Sequence, residues 1–566
     1  MLATVQTILA ARIDRLPPEE KRLLQTAAVI GTEVPLPLLQ AIAELPEDVL
    51  HRGLAHLQAA EFLYETRLFP EPEYTFKHAL THEVAYGSLL QERRRVLHAR
   101  IVEALEALAG DRLVEQFERL AHHALRGEVW DRAVAYCRQA GTKAAEHSAY
   151  REAVTYIEQA LQALPHLPER RETLEQAIDL RLDLRQAFLA LGTQRLMFDP
   201  LREAEVLAET LGDQRRLGHV SAYLTQYFWG VGDQKRVLVS GQRALVCAET
   251  LGDVPLQGIV TLYLSQACAA LGEYQQAIAY GKRSVASFEG ERRREHFGLP
   301  YLPAVFSRNT LLTLPLARVG AFTEGIAVAE EGVQIAEATD HPLSRILAYN
   351  GMGYAYFYKG DVHQAIPIFE RSLALCQAAN IPPLPNLISS LGAAYALAGR
   401  VTDALPLLEQ NVEDANDMGR LANQPIFMAN LSQGYLLAGR WEEAAQSAQR
   451  ALELARAHKA RGWEAHTLHV LGDVARHRDP PASEEAEAHY QQALALADEL
   501  GMRPLVAHCH LGLGMLYVKL GRGEPARTAL STAIALYRAM DMTFWLPQAE
   551  AALAQVGRSG EPETAQ

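Results

Sequence analysis

Nucleotide-cradling glycines, clustered cysteines and long apolar runs are all scarce in this chain, and each scarcity narrows what it does. No GxxxxGK[ST] motif occurs: Gly281-Lys282-Arg283-Ser284 lacks the upstream glycine and falls inside a helical pattern, not after a strand. GxSxG and HExxH are missing as well, so serine-nucleophile and zinc-hydrolase chemistry have no basis in the sequence. The five cysteines, Cys137, Cys247, Cys268, Cys376 and Cys509, are scattered through helical segments without a C-x-x-C. Buried reduced thiols are expected, not a disulfide or metal framework. Acidic residues outnumber basic ones, 68 to 54, and no basic stripe offsets the net charge of −14. Nucleic acid is therefore not an expected partner, because phosphate contacts need clustered Lys and Arg. No apolar run reaches the roughly 18 residues of a membrane span, so no membrane association is expected. The opening MLATVQTILAARIDRLPP lacks a basic leader and carries Arg12 and Asp14 in a helical pattern. It reads as an amphipathic helix, not a signal peptide, and a cytoplasmic location follows.

What the chain has in abundance is one repeated pattern. Leu347 to Ala379 reads as two helices folded back on each other. Gly353, Ala365 and Ser372 are small where the helices must touch, and Tyr356 and Phe369 fill the space beside them. Gly360 suits the left-handed residue that ends a helix, and Asp361 is placed to accept hydrogen bonds from the next helix's exposed amides. With Ala365 as reference, equivalent positions fall at Met197, Val237, Ala277, Gly325, Ala404, Ala444, Ala486 and Ala526, with spacings of 40, 40, 48, 40, 39, 40, 42 and 40. Turns recur as Leu271-Gly272-Glu273, Ala398-Gly399-Arg400, Ala438-Gly439-Arg440 and Leu520-Gly521-Arg522. A hairpin with an uncovered apolar face on both sides needs such copies as neighbours. The pattern resembles the tetratricopeptide repeat, with about six residues more than that repeat's period of about 34. It is similar to the long repeats in the superhelical regions of bacterial signal-transduction ATPases, including the maltose-activator type of transcription regulator.

The fold class expected is thus all-α, a long-period tetratricopeptide-like α-solenoid preceded by a small winged-helix-like domain. Residues 1–16 form a lead-in helix. Residues 17–109 hold PPEEKRLLQTAAVIG, VPLPLLQAIAEL and PEDVLHRGLAHLQAA as three helices, then a β-hairpin of Phe62-Leu63-Tyr64-Glu65 and Glu73-Tyr74-Thr75-Phe76 around Pro70 and Pro72. Residues 110–166 are a helical connector with one tetratricopeptide-like repeat, 167–555 the solenoid of nine repeats, and 556–566 a disordered tail. The 48-residue spacing marks a loop insertion, FEGERRREHFGLPYLP, and Asp479-Pro480-Pro481 lengthens a turn. RIDRLPPEEKRLLQTAAVIG, EYTFKHALTHEVAYGSLL, RRRVLHARIVEALE and REHFGLPYLPAVFSR resemble the C-terminal half of bacterial proteins that join a class III adenylate/guanylate cyclase, an ATPase module and tetratricopeptide repeats. The resemblance implies that cyclase and ATPase parts would precede Met1; the sequence contains neither, so their activities do not carry over.

Candidate functional residues follow from these readings. The expected recognition helix carries Glu47, Asp48, His51, Arg52, His56 and Gln58, a nearly neutral mixture unsuited to phosphates or guanine. His78 and His82 sit four apart with Glu83 alongside, but no third metal ligand is evident, and neither metal nor cofactor is expected. The family resemblance implies a different role for His78, contact with a nucleotide's β-phosphate, here only across an interface with another polypeptide. Arg93-Arg94-Arg95 with His98 and Arg100 reads as a solvated helix face or an anion or partner site. One position after each first-helix small residue stand Gln186, Gln226, Gln266, Leu314, Tyr354, Ala393, Gln433, Asp473 and Met515. On a concave solenoid face such a row would hydrogen-bond an extended peptide or a sugar; alternatively the glutamines tie neighbouring helices together. Trp229, Asn350, Tyr358 and His469 are neighbouring candidates. The expected function is a non-enzymatic interaction and regulatory module of a signalling ATPase or cyclase system, binding a protein or peptide on the concave surface. The alternatives are a small-ligand sensor arm, favoured by a compact aromatic pocket at Tyr354 and Tyr358, and a truncated remnant of a cyclase.

Overall fold

Glycine placement explains how each helix pair closes in the computed structural model, which describes residues 2–67, 72–147, 149–417, 423–478 and 482–558. A Cβ added to Gly353 would stand 2.4 Å from the Phe369 ring, one on Gly392 2.7 Å from Leu408, and one on Gly514 2.6 Å from Leu530. Only a residue without a side chain lets the two backbones meet so closely. The corresponding pairs are Pro342–Lys359 with Val362–Ala378, Pro385–Leu397 with Val401–Asp417, and Arg503–Lys519 with Gly523–Ala539. All the reference positions from Met197 to Ala526 are buried.

Hydrogen bonds repeat with the same period. First-helix hydroxyls of Ser265, Thr313 and Ser432 donate to the reference-position carbonyls of Ala277, Gly325 and Ala444, at 2.8, 3.3 and 2.7 Å. Between repeats, Tyr395, Tyr435 and Tyr517 donate to Glu370, Glu409 and Glu487 of the preceding second helix, at 2.7, 2.9 and 2.8 Å. The arginine after each turn glycine completes the contact: Arg400 and Arg440 lie 3.9 and 4.3 Å from the centres of the Tyr395 and Tyr435 rings, and Arg522 lies 3.0 Å from Glu487. Asp361 departs from expectation. Its side chain caps nothing and pairs instead with Lys359 at 3.3 Å, whereas Asp213, Asp233 and Asp253 do accept from amides of the following helix.

Helix clustering divides the chain into two compact units, Met1–Gly212 and Asp213–Gln566. In the first, the helix Leu2–Asp14 is anchored by Leu9 and Ile13, and Arg12 donates to the Ala60 carbonyl. The helices Pro18–Ile30, Leu36–Ala43 and Glu47–Ala59 precede a hairpin of β2 (Leu63–Arg67) and β3 (Glu73–Phe76). Glu33–Pro35, of which Val34 and Pro35 were expected to open a helix, is strand β1: it pairs antiparallel with β3 and makes a three-stranded sheet of order β1-β3-β2. Three residues ending in proline give too short a pattern for the strand to show in sequence. The helices Ala79–Gly87, Gln91–Ala109, Phe117–Arg126, Trp130–Glu146 and Tyr150–Ala163 follow, then Arg171–Ala190 and Phe198–Leu211. Pro70, Asp479-Pro480-Pro481 and the tail from Ser559 onward lie outside the described residues.

In the second unit the 48-residue spacing has a specific cause. Phe288, Phe297, Leu299 and Tyr301 of the insertion pack on Ile259, Leu262 and Tyr263, so the loop is pinned. The helix that follows runs Pro303–Phe306, widens to a π-helical stretch at Ser307–Leu312 and resumes at Thr313–Arg318. The wide turn accommodates Asn309, whose amide donates to the carbonyls of Ala329 and Ala348 at 2.9 and 2.8 Å. Gly332 and Gly351 leave it room: a Cβ on either would stand within 2.0 Å of Asn309. The helix Val254–Leu271 corrects another expectation, since it is long and apolar enough to cross a membrane. Its apolar residues are required on both sides because neighbouring repeats cover it, and 61% of it is buried.

The array also touches itself across long sequence distances. Turn glycines Gly232, Gly320 and Gly360 sit where an added Cβ would meet His458, Met540 and Trp545 at 2.3 to 2.7 Å. Lys359 pairs with Asp541 at 2.7 Å. The corresponding turn glycines Gly399 and Gly521 have nothing within 4 Å of an added Cβ. Early turns of the second unit therefore rest on late connections, and the first helices face a shared interior.

Candidate functional site

Among the described residues, two cavities that open on that interior are lined by residues far apart in sequence. The larger, 290 Å³, has Tyr358, Gln433, His466, His469, Asp473, Arg476, His508, Met515, Trp545 and Gln548 on its wall. The smaller, 90 Å³, is bounded by Trp229, Gln266, Thr310, Leu314, Arg318, Asn386, Asn423 and Trp463. The helix Arg461–His477 serves both: Trp463 faces the smaller, while His466, His469, Asp473 and Arg476 follow at helical spacing into the larger.

Asp473 organises the larger cavity. Tyr490 donates to its Oδ1 at 2.6 Å, Arg476 lies 3.4 Å from the same oxygen, and His469 Nδ1 lies 3.6 Å from Oδ2. Burial pushes the Asp473 carboxyl up, but His469, Arg476 and the Tyr490 hydroxyl outweigh it and hold the group below the usual carboxylate range. Asp473 is thus ionised and its charge is spent on Arg476. His508 hydrogen-bonds the Tyr537 hydroxyl through Nδ1 at 2.8 Å and meets the Trp545 ring edge-on at 4.4 Å. Burial, then His469, pulls His508 down to about 3. Burial, then Arg318, lowers His466 well below the ordinary histidine value. At neutral pH the His466 and His508 imidazoles of this wall are neutral and Asp473 is paired internally with Arg476, which suits polar and aromatic groups.

Arg318 stands between the two cavities. It is 5% exposed, its Nη2 donates to the Tyr358 hydroxyl at 2.8 Å, and its guanidinium lies 3.8 and 4.5 Å from the Trp463 and Tyr358 ring centres.

Of the residues in the repeat register and their neighbouring candidates, Tyr358, Gln433, His469, Asp473 and Met515 come together in the larger cavity, and Trp229, Gln266 and Leu314 in the smaller. Gln226 is half-buried on the helix Gln214–Gly230, and Gln186 is exposed in the first unit. Tyr354 and Ala393 of the row, and the neighbouring candidate Asn350, are buried. Tyr354 bonds to Ser390 and Asn350 and packs edge-on to Phe369 at 5.8 Å, so its ring fills the seam between helix pairs. Trp463, His466, Arg476, His508, Trp545 and Arg318 were not signalled by that register. The polar stripe Trp463, His466, His469, Asp473 and Arg476 on one helix was the available sign.

In the first unit, His78 is an exposed residue in extended conformation just before the helix Ala79–Gly87, so it shares no helical face with His82. His82 instead packs against Phe76 and Tyr86 at 5.1 and 6.3 Å. The polar groups of the helix Glu47–Ala59 are engaged nearby, in the Arg52–Asp48 ion pair at 2.8 Å and the His56–Glu20 hydrogen bond at 2.7 Å. The Arg93 to Arg100 run is likewise engaged: Arg95 pairs with Glu92, Arg100 with Glu44, and Arg94 stacks on Tyr86. No group of three or more His, Cys, Asp or Glu side chains able to hold a metal occurs among the described residues.

Helix pairs with small residues at the crossing, stacked at a forty-residue period, define an all-α solenoid of the tetratricopeptide class. Models of the tetratricopeptide repeat match residues 346–378, 428–459 and 483–539. An uncharacterised protein of Rhizobium meliloti (strain 1021) is 28% identical over 227 residues, which is 40% of this chain and 22% of that protein's length. Among solved structures, a Rap protein complexed with competence and sporulation factor superimposes with a TM-score of 0.48 at 14% identity, covering 65% of this chain and 98% of that one. A signal transduction ATPase with numerous domains and a tetratricopeptide repeat sensor, from Pyrococcus horikoshii, gives 0.37 at 12% identity, covering 86% and 66%.

Proposed function

We propose that this chain is a non-enzymatic, cytoplasmic interaction module that regulates a signalling ATPase or nucleotide cyclase by taking a protein or peptide segment into the interior of its solenoid. One observation carries this reading: first helices from residue 229 to residue 463 turn aromatic, amide and guanidinium groups toward one small space. An ordered scaffold of this kind limits the entropy lost when a partner segment docks. Residues 17–109, with their three helices and β1-β3-β2 sheet, serve as a winged-helix-like domain that packs on the ATPase, and His78, exposed beside that sheet, reaches its nucleotide. The connector spans 110–166 and the nine repeats 167–555.

The test is site-specific photocrosslinking from Gln266 and Gln433 in cells. Both positions should capture the same partner, and capture should fall when Trp463 is replaced by Ala. Absence of any adduct at both positions sinks the reading. The compactness of the 290 Å³ cavity favours a second one, a small-ligand sensor, in which native mass spectrometry of the purified protein would show a bound metabolite.

A further inference from the structure

Two arginines of the same interrupted helix are buried, and they are treated differently. Arg308 is fully buried and held between Glu289 and Glu331. Arg318, almost as deeply buried, has no carboxylate within ion-pair distance among the described residues; it has only the Tyr358 hydroxyl and two aromatic faces. A cation taken out of water without a counter-charge is expensive, and aromatic faces offset only part of that cost. Arg318 borders the 90 Å³ cavity, whose other polar walls are Ser265, Gln266, Tyr274, Thr310, Asn386 and Asn423, none of them a carboxylate.

We infer that Arg318 is the anchor of a carboxylate-binding site, in which a ligand's monoanionic carboxylate supplies the missing counter-charge and its apolar part lies against Trp229 and Trp463. The charge balance selects this chemistry. One uncompensated cation among neutral amides matches a single negative charge, while a phosphate monoester near two charges would leave an excess in the same enclosure. The planar guanidinium fork fits a carboxylate's two oxygens. The carboxylate comes either from the C-terminus of a peptide or from a small organic acid. This assignment rests on the interaction reading above and specifies which group the interior takes.

The experiment uses the full chain and four probes: 3-phenylpropionate, its neutral amide, the peptide Ala-Ala-Phe with a free C-terminus, and the same peptide amidated. Binding is followed by tryptophan fluorescence and by the shift in thermal midpoint. At least one acid should bind at least about tenfold more tightly than its amide. That preference should vanish in Arg318→Met and persist in Arg308→Lys. Response to the peptide acid alone assigns the source to a peptide C-terminus; response to phenylpropionate assigns it to a small acid. Without any ligand, Arg318→Met should raise the thermal midpoint and Arg308→Met should lower it. The proposal is overturned if neither acid is preferred over its amide at about 10 mM, if Arg318→Met keeps the preference, or if Arg318→Met lowers the midpoint as Arg308→Met does. Crosslinked partner recovered unchanged from the Arg318→Met protein would leave the interaction reading standing while removing the carboxylate site.

Discussion

Gly353 and Gly87 show how one added methyl has opposite consequences at two places. At Gly353 it would press on the Phe369 ring, whereas at Gly87 nothing lies within 4 Å. Gly353→Ala is expected to destabilise by about 1–3 kcal/mol through overpacking, and Gly87→Ala to be neutral or stabilising by up to about 1 kcal/mol, both read from urea unfolding. The buried pair His98 and His123 gives a pH prediction. Their Nδ1 atoms are 2.8 Å apart, and burial, then neighbouring positive charge, lowers them to about 3 and about 2. Between those values and the ordinary histidine range the unfolded chain binds protons that the native one refuses. Stability of the first unit should therefore fall as pH drops from about 6.5 toward 3, by up to about 1.4 kcal/mol per pH unit for each histidine. Unfolding midpoints at pH 7.5 and 5 measure this; a His98→Phe/His123→Leu protein should show a flatter profile, and an unchanged profile would count against the pair as its source.

At the scale of helices, the tyrosine, glutamate and arginine between successive repeats separate two kinds of contact. The Tyr435 hydroxyl donates to a carboxylate at the edge of a buried ring, while Arg440 and Glu409 are each about two-fifths exposed. Tyr435→Phe should cost about 1 kcal/mol, more than Arg440→Gln, whose ion pair is worth less than about 1 kcal/mol and weakens with salt. Chemical denaturation at low and high salt distinguishes them. This level is also where sequence was most legible. Glycine, alanine and tyrosine at a forty-residue period identify the crossings because only small residues permit them, and the same register led to Gln266, Gln433 and Asp473. The burial of Tyr354 was not legible, because a register gives position along a helix, not how far the next repeat rolls over it. β1 was hidden by its brevity. The π-helical turn before Arg318 left no periodic trace, since one extra residue per turn is indistinguishable from a loop insertion.

For the second unit as a whole, the contacts between early turns and late connections matter more than any pair of neighbours. Trp545 lies against Gly360 and His508 and stacks with Tyr537 at 5.9 Å. Trp545→Ala should destabilise by about 3 kcal/mol or more and speed proteolysis near residue 360 as well as near the C-terminal helix Leu546–Arg558, although these segments are far apart in sequence. Cleavage accelerated only at the C-terminal helix would show that the closure is not energetically coupled.

The fit of Gly232, Gly320 and Gly360 onto residues some two hundred positions later bears on how such a chain can evolve. An open stack of repeats changes length by gaining or losing a copy, and its other copies need not notice. Here, excising one copy from the middle would carry every later coil past the bend it rests on, setting His458, Met540 and Trp545 against side chains instead of bare backbone. Lineages that kept this closure would be expected to vary in the solvent-facing second helices while holding the number of copies constant.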